Sequence, residues 1–336
     1  AVHHHEPYRH MSPEDRKLRN HLRARARQLG DKQNPKGELE ITHLVWECAY
    51  EHWHRMLFAR FLAENDLLIE PEMGVAISLE ECEELAKEDG KDLWTLASEF
   101  AQRMLPQIFR PNDPLLKVIL AREHRMKLEN LLSDLEPTIF KASDSLGWVY
   151  QFWQSKRKKE VNQSGNKIGA DELPAVTQLF TEPYMVSFLL DNSLGAWWAA
   201  RRLTEADFQN AKNEDDLRKR ASLPGVPLEY LRFVRQNEGK WAPAAGTFDD
   251  WPEKIAELKI LDPSCGSGHF LVTAFLMLVP MYMEIEDLTA GEGVDQVLTE
   301  NIHGLEIDQR CVELAVFALA LEAWRDPDAG GYRQLP

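Results

Sequence analysis

Two short segments of the chain carry residue types suited to binding a nucleotide-like molecule. Asp262–Leu271 (DPSCGSGHFL) is typical of a strand that ends in a glycine turn and opens a helix, and Gly304–Asp308 (GLEID) is an apolar run that closes on acids. Glycines let the backbone approach a ligand where a Cβ would collide. The Glu306 carboxylate can accept hydrogen bonds from both hydroxyls of a ribose. Together the segments predict a site that contacts its ligand at two places, the glycine turn and the Glu306 carboxylate.

The elements around these segments alternate between strand and helix. The pattern predicts, in order, a buried strand at Ile255–Leu261, the glycine turn, a helix at Phe270–Met283, a charged loop at Glu284–Asp295, a strand at Ile302–Ile307 and a helix at Gln309–Trp324. Such a β-α-β-α order is the opening half of a doubly wound parallel sheet. We therefore predict an α/β fold for this part of the chain.

Two common nucleotide-binding patterns do not fit the turn. A dinucleotide-binding dehydrogenase would show a third glycine where Leu271 stands, and its acid would follow within roughly 20 residues, earlier than Glu306 does. A P-loop would need a Gly-Lys-Ser/Thr sequence, which the chain lacks. The ligand is therefore predicted to be neither a dinucleotide nor a nucleoside triphosphate held by a P-loop.

The preceding part of the chain has helical periodicity. No alternating strand pattern occurs before about residue 255, and large apolar residues recur at helical spacing over Ile41–Leu68. We predict a basic N-terminal arm at residues 1–40, a helical domain at 41–165 and a ligand-binding domain at 166–336. The arginine-rich helix of the arm, Met11–Gln28, suits either a solvated surface or contact with phosphates. Glu205–Arg220 is predicted to be a polar loop.

Net charge, cysteine spacing and the length of the apolar runs limit the partners that can be predicted. The 336 residues carry 55 acids and 39 bases, a formal charge of −16, so any contact with nucleic acid must come from local basic patches. The four cysteines lack metal-binding spacing, and we predict reduced thiols, no metal site and a cytoplasmic location. The longest apolar run is shorter than the roughly 20 residues that span a bilayer, so no membrane partner is predicted.

The residues of the turn resemble the cofactor motif of S-adenosylmethionine-dependent adenine-N6 DNA methyltransferases, whose usual form is Asp-Pro-x-x-Gly-x-Gly-x-Phe-Leu. Ile302–Asp308 resembles the ribose-binding segment of these enzymes, and Thr177–Val186 (TQLFTEPYMV) resembles their Phe-Thr-Pro-type segment. Trp53–Asn65 and Leu146–Trp153 are similar to the helical region of phage-defence methyltransferases of the BREX, DISARM and type IIG restriction-modification kinds. The resemblance covers most of residues 41–325 and implies the first half of a class I methyltransferase (Rossmann-like) sheet.

The resemblance also implies roles for individual residues. The turn amides would meet the methionine part of S-adenosylmethionine, Asp262 would order the loop or accept from the cofactor's ammonium, Glu306 would hold the ribose, Ile307 would pack on the adenine, and the segment around Thr181 would close the site. The implied cofactor-binding residues are Phe180, Thr181, Pro183, Asp262, Ser264, Gly266, Ser267, Gly268, Glu306 and Ile307. Cys265 and His269 are interpreted as loop fillers.

The catalytic motif of the resembled family is Asn/Asp-Pro-Pro-Tyr/Phe, which presents the target adenine amine. The chain contains no Pro-Pro dipeptide, and Thr181–Tyr184 precedes the sheet and lacks the second proline. We therefore expect no catalytic residue in this chain. We expect the chain to be either an N-terminal fragment of a larger protein or one piece of a split enzyme.

The implied reaction is methyl transfer from S-adenosylmethionine to adenine N6 in duplex DNA, in a restriction-modification or phage-defence system. Expected partners are duplex DNA and either other defence subunits or a complementary C-terminal fragment. Two alternatives remain open. One is a class I methyltransferase acting on RNA, protein or a small molecule, and the other is a non-catalytic scaffold that binds cofactor or DNA and docks partner proteins.

Overall fold

A computed structural model describes residues 1–142, 145–165, 167–169, 173, 176, 181–236, 239–246, 248–326 and 328–336. The chain folds into two compact units, Ala1–Lys141 and Ala142–Pro336. The first is helical and the second contains the glycine turn.

The first unit confirms the predicted helical region. Its helices are α1 (Pro13–Gln28), α2 (Thr42–Glu64), α3 (Leu79–Glu88), α4 (Leu93–Met104), α5 (Pro106–Phe109), α6 (Arg122–Ser133) and α7 (Pro137–Lys141), with a 3-10 turn at Pro114–Lys117. A small antiparallel hairpin, β1 (Ile69–Glu70) with β2 (Val75–Ala76), is the first of two hairpins that correct the expectation that no strand precedes residue 255. Two-residue strands are too short to show an alternating pattern, which explains the miss.

Helix α2 is the centre of this unit. Most of its second half is buried, and it packs against α4. Its buried Arg60 donates to the carbonyl oxygens of Leu132 at 2.6 Å and Leu135 at 2.9 Å, where α6 ends. The cation thereby satisfies carbonyl oxygens that have no partner within the helix. Its charge is also stabilised by the negative end of the helix dipole.

The basic helix α1 was predicted to be either a solvated surface or a phosphate contact, and two of its arginines do neither. Arg19 and Arg23 are buried and donate to backbone carbonyls of the N-terminal segment, with Arg19 Nε 2.9 Å from Ala1 O and Arg23 Nη2 3.0 Å from Gly37 O. Those two guanidinium groups therefore hold the chain itself. Lys17 and Arg27 on the same helix are exposed.

The second unit contains both helices and strands. The helices are α8 (Ser145–Ser164), α9 (Pro183–Leu190), α10 (Ala196–Arg202), α11 (Glu205–Asn210), α12 (Glu214–Ala221), α13 (His269–Glu286), α14 (Ala290–Gln296) and α15 (Gln309–Arg325), with π-helical turns at Asp191–Gly195 and Val297–Asn301. The strands are β3 (Phe233–Arg235), β4 (Trp241–Pro243), β5 (Ile260–Asp262) and β6 (Ile302–Gly304). Strands β3 and β4 form an antiparallel hairpin.

Four predicted boundaries are wrong. The strand predicted at Ile302–Ile307 ends at Gly304. The predicted loop Glu205–Arg220 forms α11 and α12, and the predicted loop Glu284–Asp295 contains α14. Thr204 and Thr289 each begin a helix through a capping box, a signal that the charge of these segments obscured. Ile255 starts a 3-10 turn, and the strand begins only at Ile260.

The strands that flank the glycine turn are parallel. Ile260 pairs with Ile302 and Asp262 with Gly304. The connection between the two strands holds α14 and a π-helical turn besides the predicted α13, so the predicted β-α-β-α order gains a helix that the sequence did not predict. Within the described residues this sheet has two strands, so the larger doubly wound sheet stays a proposal.

Helix α13 follows β5 and is largely buried. It is longer than predicted and continues through Pro280, although proline removes one hydrogen bond of a helix. Among the described residues it alone is long and apolar enough to cross a membrane, yet half of it is buried inside the protein. That burial is typical of a core helix.

Candidate cofactor site

The structure brings the glycine turn and the strand-end acid into direct contact. The backbone N–H of Gly266 donates to Glu306 Oε2 at 2.9 Å. Where β5 and β6 end, Leu305 N donates to Asp262 O at 2.9 Å and Cys265 N donates to Leu305 O at 3.0 Å. Because parallel strands end at the same edge, the two segments that the sequence singled out lie side by side there.

The Glu306 carboxylate has three backbone donors. Besides Gly266, the N–H groups of Ile307 at 2.7 Å and Asp308 at 3.0 Å donate to its Oε1. A carboxylate offers about four lone-pair positions, so the half-buried side chain keeps capacity for a further donor. Glu306 therefore orders the loop and remains able to accept a hydrogen bond from a ligand hydroxyl.

Asp262 orders the turn. Its Oδ1 accepts the N–H of Ser264 at 3.1 Å, a local bond that bends the chain directly after β5. Of the two roles considered for Asp262, loop ordering is the one in this structure, and contact with a ligand ammonium stays a prediction. Ser264 is exposed, and Ser267 is half-buried beside the turn.

The two glycines of the turn do different things. Gly266 has φ +53° and no atom lies within 4 Å of where a Cβ would stand, so it borders open space. Gly268 has φ +84°, and a Cβ there would lie 2.7 Å from the Cβ of Ala315. Gly266 is thus placed for close approach of a ligand, whereas Gly268 allows α13 to pack against α15.

The start of α13 faces the same turn. Gly268 is its N-cap, and no side chain caps the helix there. Backbone N–H groups at a helix N-terminus favour a negatively charged group, because their partial charges sum with the helix dipole. The turn is therefore suited to a ligand carboxylate.

Cys265 lies in the turn without being reactive. Its side chain is buried, and burial, followed by the charges of Asp262 and Glu306, raises the pKa of the thiol to about 11. The thiol is neutral at physiological pH, and a neutral thiol is a poor nucleophile. This agrees with its interpretation as a loop filler.

The remaining predicted site residues differ in how far the structure places them. The side chain of Ile307 is 69% exposed. Half-buried Thr181 and exposed Pro183 lie at the start of α9, which packs against α13, and no hydrogen bond among the described residues joins them to the turn. Phe180 lies outside the described residues. Within the part of the chain that the structure describes, no group of three or more His, Cys, Asp or Glu residues could hold a metal ion.

Two residues beside the turn had no role predicted from the sequence. Asp308 caps α15, with its Oδ1 accepting the N–H of Arg310 at 3.0 Å, and its Oδ2 accepts the hydroxyl of Tyr150 at 2.6 Å. An acid directly before a helical pattern is an N-cap signal, so Asp308 was detectable. Tyr150 was not, because no local pattern links positions so far apart in the chain.

Comparison with known proteins finds similarity to adenine-specific methyltransferases. Residues 240–327 match the family model of the MmeI DNA-methyltransferase domain, a segment that contains the turn, α13 and Glu306. The chain is 24% identical over 327 residues to the adenine-specific methyltransferase PglX of Lacticaseibacillus casei (strain Zhang). The aligned region covers 85% of this chain and 26% of that protein.

A second relative is the adenine-specific methyltransferase BrxX of Escherichia coli O9:H4 (strain HS). The chain is 32% identical to it over 199 residues, 59% of this chain and 15% of that protein. The chain thus spans about a quarter or less of the length of these relatives. These matches confirm the resemblance to adenine-specific DNA methyltransferases.

Proposed function

We propose that this chain carries the S-adenosylmethionine-binding half of an adenine-N6 DNA methyltransferase of a restriction-modification or phage-defence system. The bond from Gly266 N–H to Glu306 carries the proposal, because it joins the glycine turn and the ribose-type acid at the edge of a parallel β-α-β unit. The similarity to adenine-specific methyltransferases over most of the chain supports the same function.

The residues present fit this cofactor. Open space at Gly266 suits close approach of the methionine part, and the start of α13 suits its carboxylate. Glu306 retains capacity for a ribose hydroxyl, and the exposed side chain of Ile307 offers an apolar face for the adenine. S-adenosylmethionine supplies, when bound, a methyl group already activated on a sulfonium.

The contribution of this chain to the chemistry is positioning. The turn and Glu306 would fix the methyl donor at the sheet edge, which converts an encounter between two molecules into an aligned approach. No Pro-Pro dipeptide occurs in the sequence, so the proposal for these residues is limited to holding the donor. We assign no catalytic residue.

We propose duplex DNA as the macromolecular partner and the cytoplasm as the location. The chain is acidic overall, so contact with phosphates would depend on local basic runs such as Lys156–Lys159 on α8. Other subunits of a defence system are proposed as protein partners. Methyl transfer to RNA or protein and a non-catalytic scaffold are the competing functions.

Titration calorimetry with S-adenosylmethionine tests the proposal. The folded wild-type chain should bind the cofactor, and both Glu306→Ala and Gly266→Val should abolish binding, since one removes the acid and the other fills the space beside the turn. A folded chain that does not bind would favour the scaffold. Unchanged affinity in both variants would refute the site.

The substrate class needs a separate measurement. The cofactor-loaded protein, together with the subunit or segment that supplies the Asn/Asp-Pro-Pro-Tyr/Phe motif, should methylate adenine in duplex DNA. Transfer of labelled methyl groups to RNA or protein, with none to DNA, would replace the proposed substrate by one of the alternatives.

A further inference from the structure

We propose that Tyr150 is a positioning residue for the cofactor, holding the acid loop Leu305–Asp308 in the geometry that lets Glu306 bind the ribose. This inference rests on the proposed function and adds to the site a residue from α8, a helix distant from it in sequence. Both α8 and the acid loop belong to the second unit.

A continuous series of hydrogen bonds leads from α8 to the glycine turn. Gln154 Nε2 donates to the Tyr150 hydroxyl at 2.7 Å, and that hydroxyl donates to Asp308 Oδ2 at 2.6 Å. The N–H of Asp308 donates to Glu306 Oε1 at 3.0 Å, and Glu306 Oε2 accepts the N–H of Gly266 at 2.9 Å. Hydrogen bonds thus connect α8, the acid loop and the glycine turn.

The direction of the Tyr150 bond is set by its surroundings. The side chain is 1% exposed, and burial, followed by the nearby Cys311 and Asp308, raises the pKa of the phenol above its ordinary value. The hydroxyl therefore stays protonated and donates to the Asp308 carboxylate. Hydrogen bonds to charged groups are stronger than those between neutral groups.

Packing alone does not hold the acid loop. The side chain of Leu305 is 58% exposed and that of Ile307 is 69% exposed, so the loop buries little apolar surface of its own. Its position depends on backbone hydrogen bonds and on Asp308. One oxygen of Asp308 caps α15 and the other accepts from Tyr150, so loss of Tyr150 frees the loop on one side only.

The test is Tyr150→Phe, which removes the hydroxyl and keeps the ring in the core. Calorimetry would compare S-adenosylhomocysteine with its 2′-deoxy analogue, which lacks one ribose hydroxyl. Wild type should prefer the complete ribose by about tenfold, the effect expected of one hydrogen bond to a charged group. In Tyr150→Phe that preference should shrink to within about twofold, because Glu306 is no longer aligned.

The ratio of the two affinities separates positioning from general stability. A merely structural role would weaken both ligands equally and leave the ratio unchanged. Tyr282→Phe, at another wholly buried tyrosine of this unit, is the matched control and should keep the wild-type ratio. If Tyr150→Phe does not fold, Asp308→Asn replaces it, because asparagine keeps the size of the side chain. That variant should also reduce the ratio.

The possible results are distinct. A wild-type chain that binds neither ligand overturns the cofactor site and the role of Tyr150 with it. If wild type binds and a folded Tyr150→Phe or Asp308→Asn variant has the wild-type ratio of affinities, the positioning role is overturned. The proposed function then still stands.

Discussion

At the scale of single residues, Glu306 orders the backbone around it, a task that its sequence position did not predict. Its carboxylate accepts three backbone N–H groups, from Gly266, Ile307 and Asp308, and so orders the site before any ligand arrives. A preorganised acceptor loses little conformational freedom on binding. The two glycines of the turn differ just as clearly, because only Gly266 borders open space.

Replacing Gly266 by alanine tests that difference. The left-handed backbone at φ +53° makes alanine unfavourable by about 1–2 kcal/mol, yet the added Cβ meets no atom of the protein, so the variant should fold. It should lose affinity for S-adenosylmethionine, because the Cβ occupies the space assigned to the cofactor.

Gly225→Ala is the matched control for this variant. Gly225 has φ +74° and no atom within 4 Å of a Cβ, so alanine there carries similar strain away from the turn. Calorimetry and thermal unfolding should show equal losses of stability and a loss of binding in Gly266→Ala alone. Normal binding by Gly266→Ala would place the cofactor elsewhere.

At the scale of elements, the close contact of α13 and α15 determines where the turn lies. A Cβ at Gly268 would lie 2.7 Å from Ala315 Cβ and 3.0 Å from its Cα, closer than packed atoms tolerate. A Cβ at Gly304 on β6 would lie 2.8 Å from Leu271 Cδ1, which is the end of a flexible side chain. Glycine is therefore required most strictly at Gly268, where the backbone of α15 lies close by.

Gly268→Ala should reduce the free energy of unfolding by about 2–5 kcal/mol, the sum of left-handed strain and overpacking. Adding Ala315→Gly should recover part of the loss, because it removes the atom that collides. Urea denaturation of both single variants and the double variant measures this coupling. Strictly additive losses would show that the two helices do not meet at this pair.

At the scale of the whole molecule, the chain is two compact units, with a helical first unit and a second unit that holds the site. The domain limits predicted at residues 41–165 and 166–336 stay a prediction, and helix α8 belongs to the second unit. The first unit also buries charge, since Glu51 on α2 lies in its core and pairs with Arg110 at 2.7 Å.

Stability of the first unit should depend on the protonation of Glu51. Burial raises the pKa of its carboxyl from 4.5 to about 7, with the attraction of Arg110 opposing the shift. The folded state then binds this proton more tightly than the unfolded state, so stability should fall as pH rises from 4.5 to 7. The effect is on the order of 1–3 kcal/mol, present below this window and lost above it.

Glu51→Gln checks this expectation, because glutamine keeps the shape and cannot ionise. Thermal unfolding at constant ionic strength should show a smaller decline between acidic and neutral pH in the variant than in wild type. Parallel declines in the two proteins would mean that other groups cause the pH dependence.

Local chemistry in the sequence determined a large part of this protein. The glycine turn, the strand-end acid, the helical first region and the β-α-β-α order follow from turn residues and periodicity, which act over a few neighbouring positions. The missed helices at Glu205–Asn210 and Ala290–Gln296 were also within reach, because capping boxes are local signals.

Only the tertiary structure decided which distant residues act together. The Gly266–Glu306 bond, the Gly268–Ala315 contact and the Tyr150–Asp308 bond each join segments far apart in the chain. Such contacts depend on how parallel strands and packed helices bring separate segments to one edge, and no local preference encodes them. The sequence alone therefore indicated which two segments would meet, while folding determined how their residues hold one another in place.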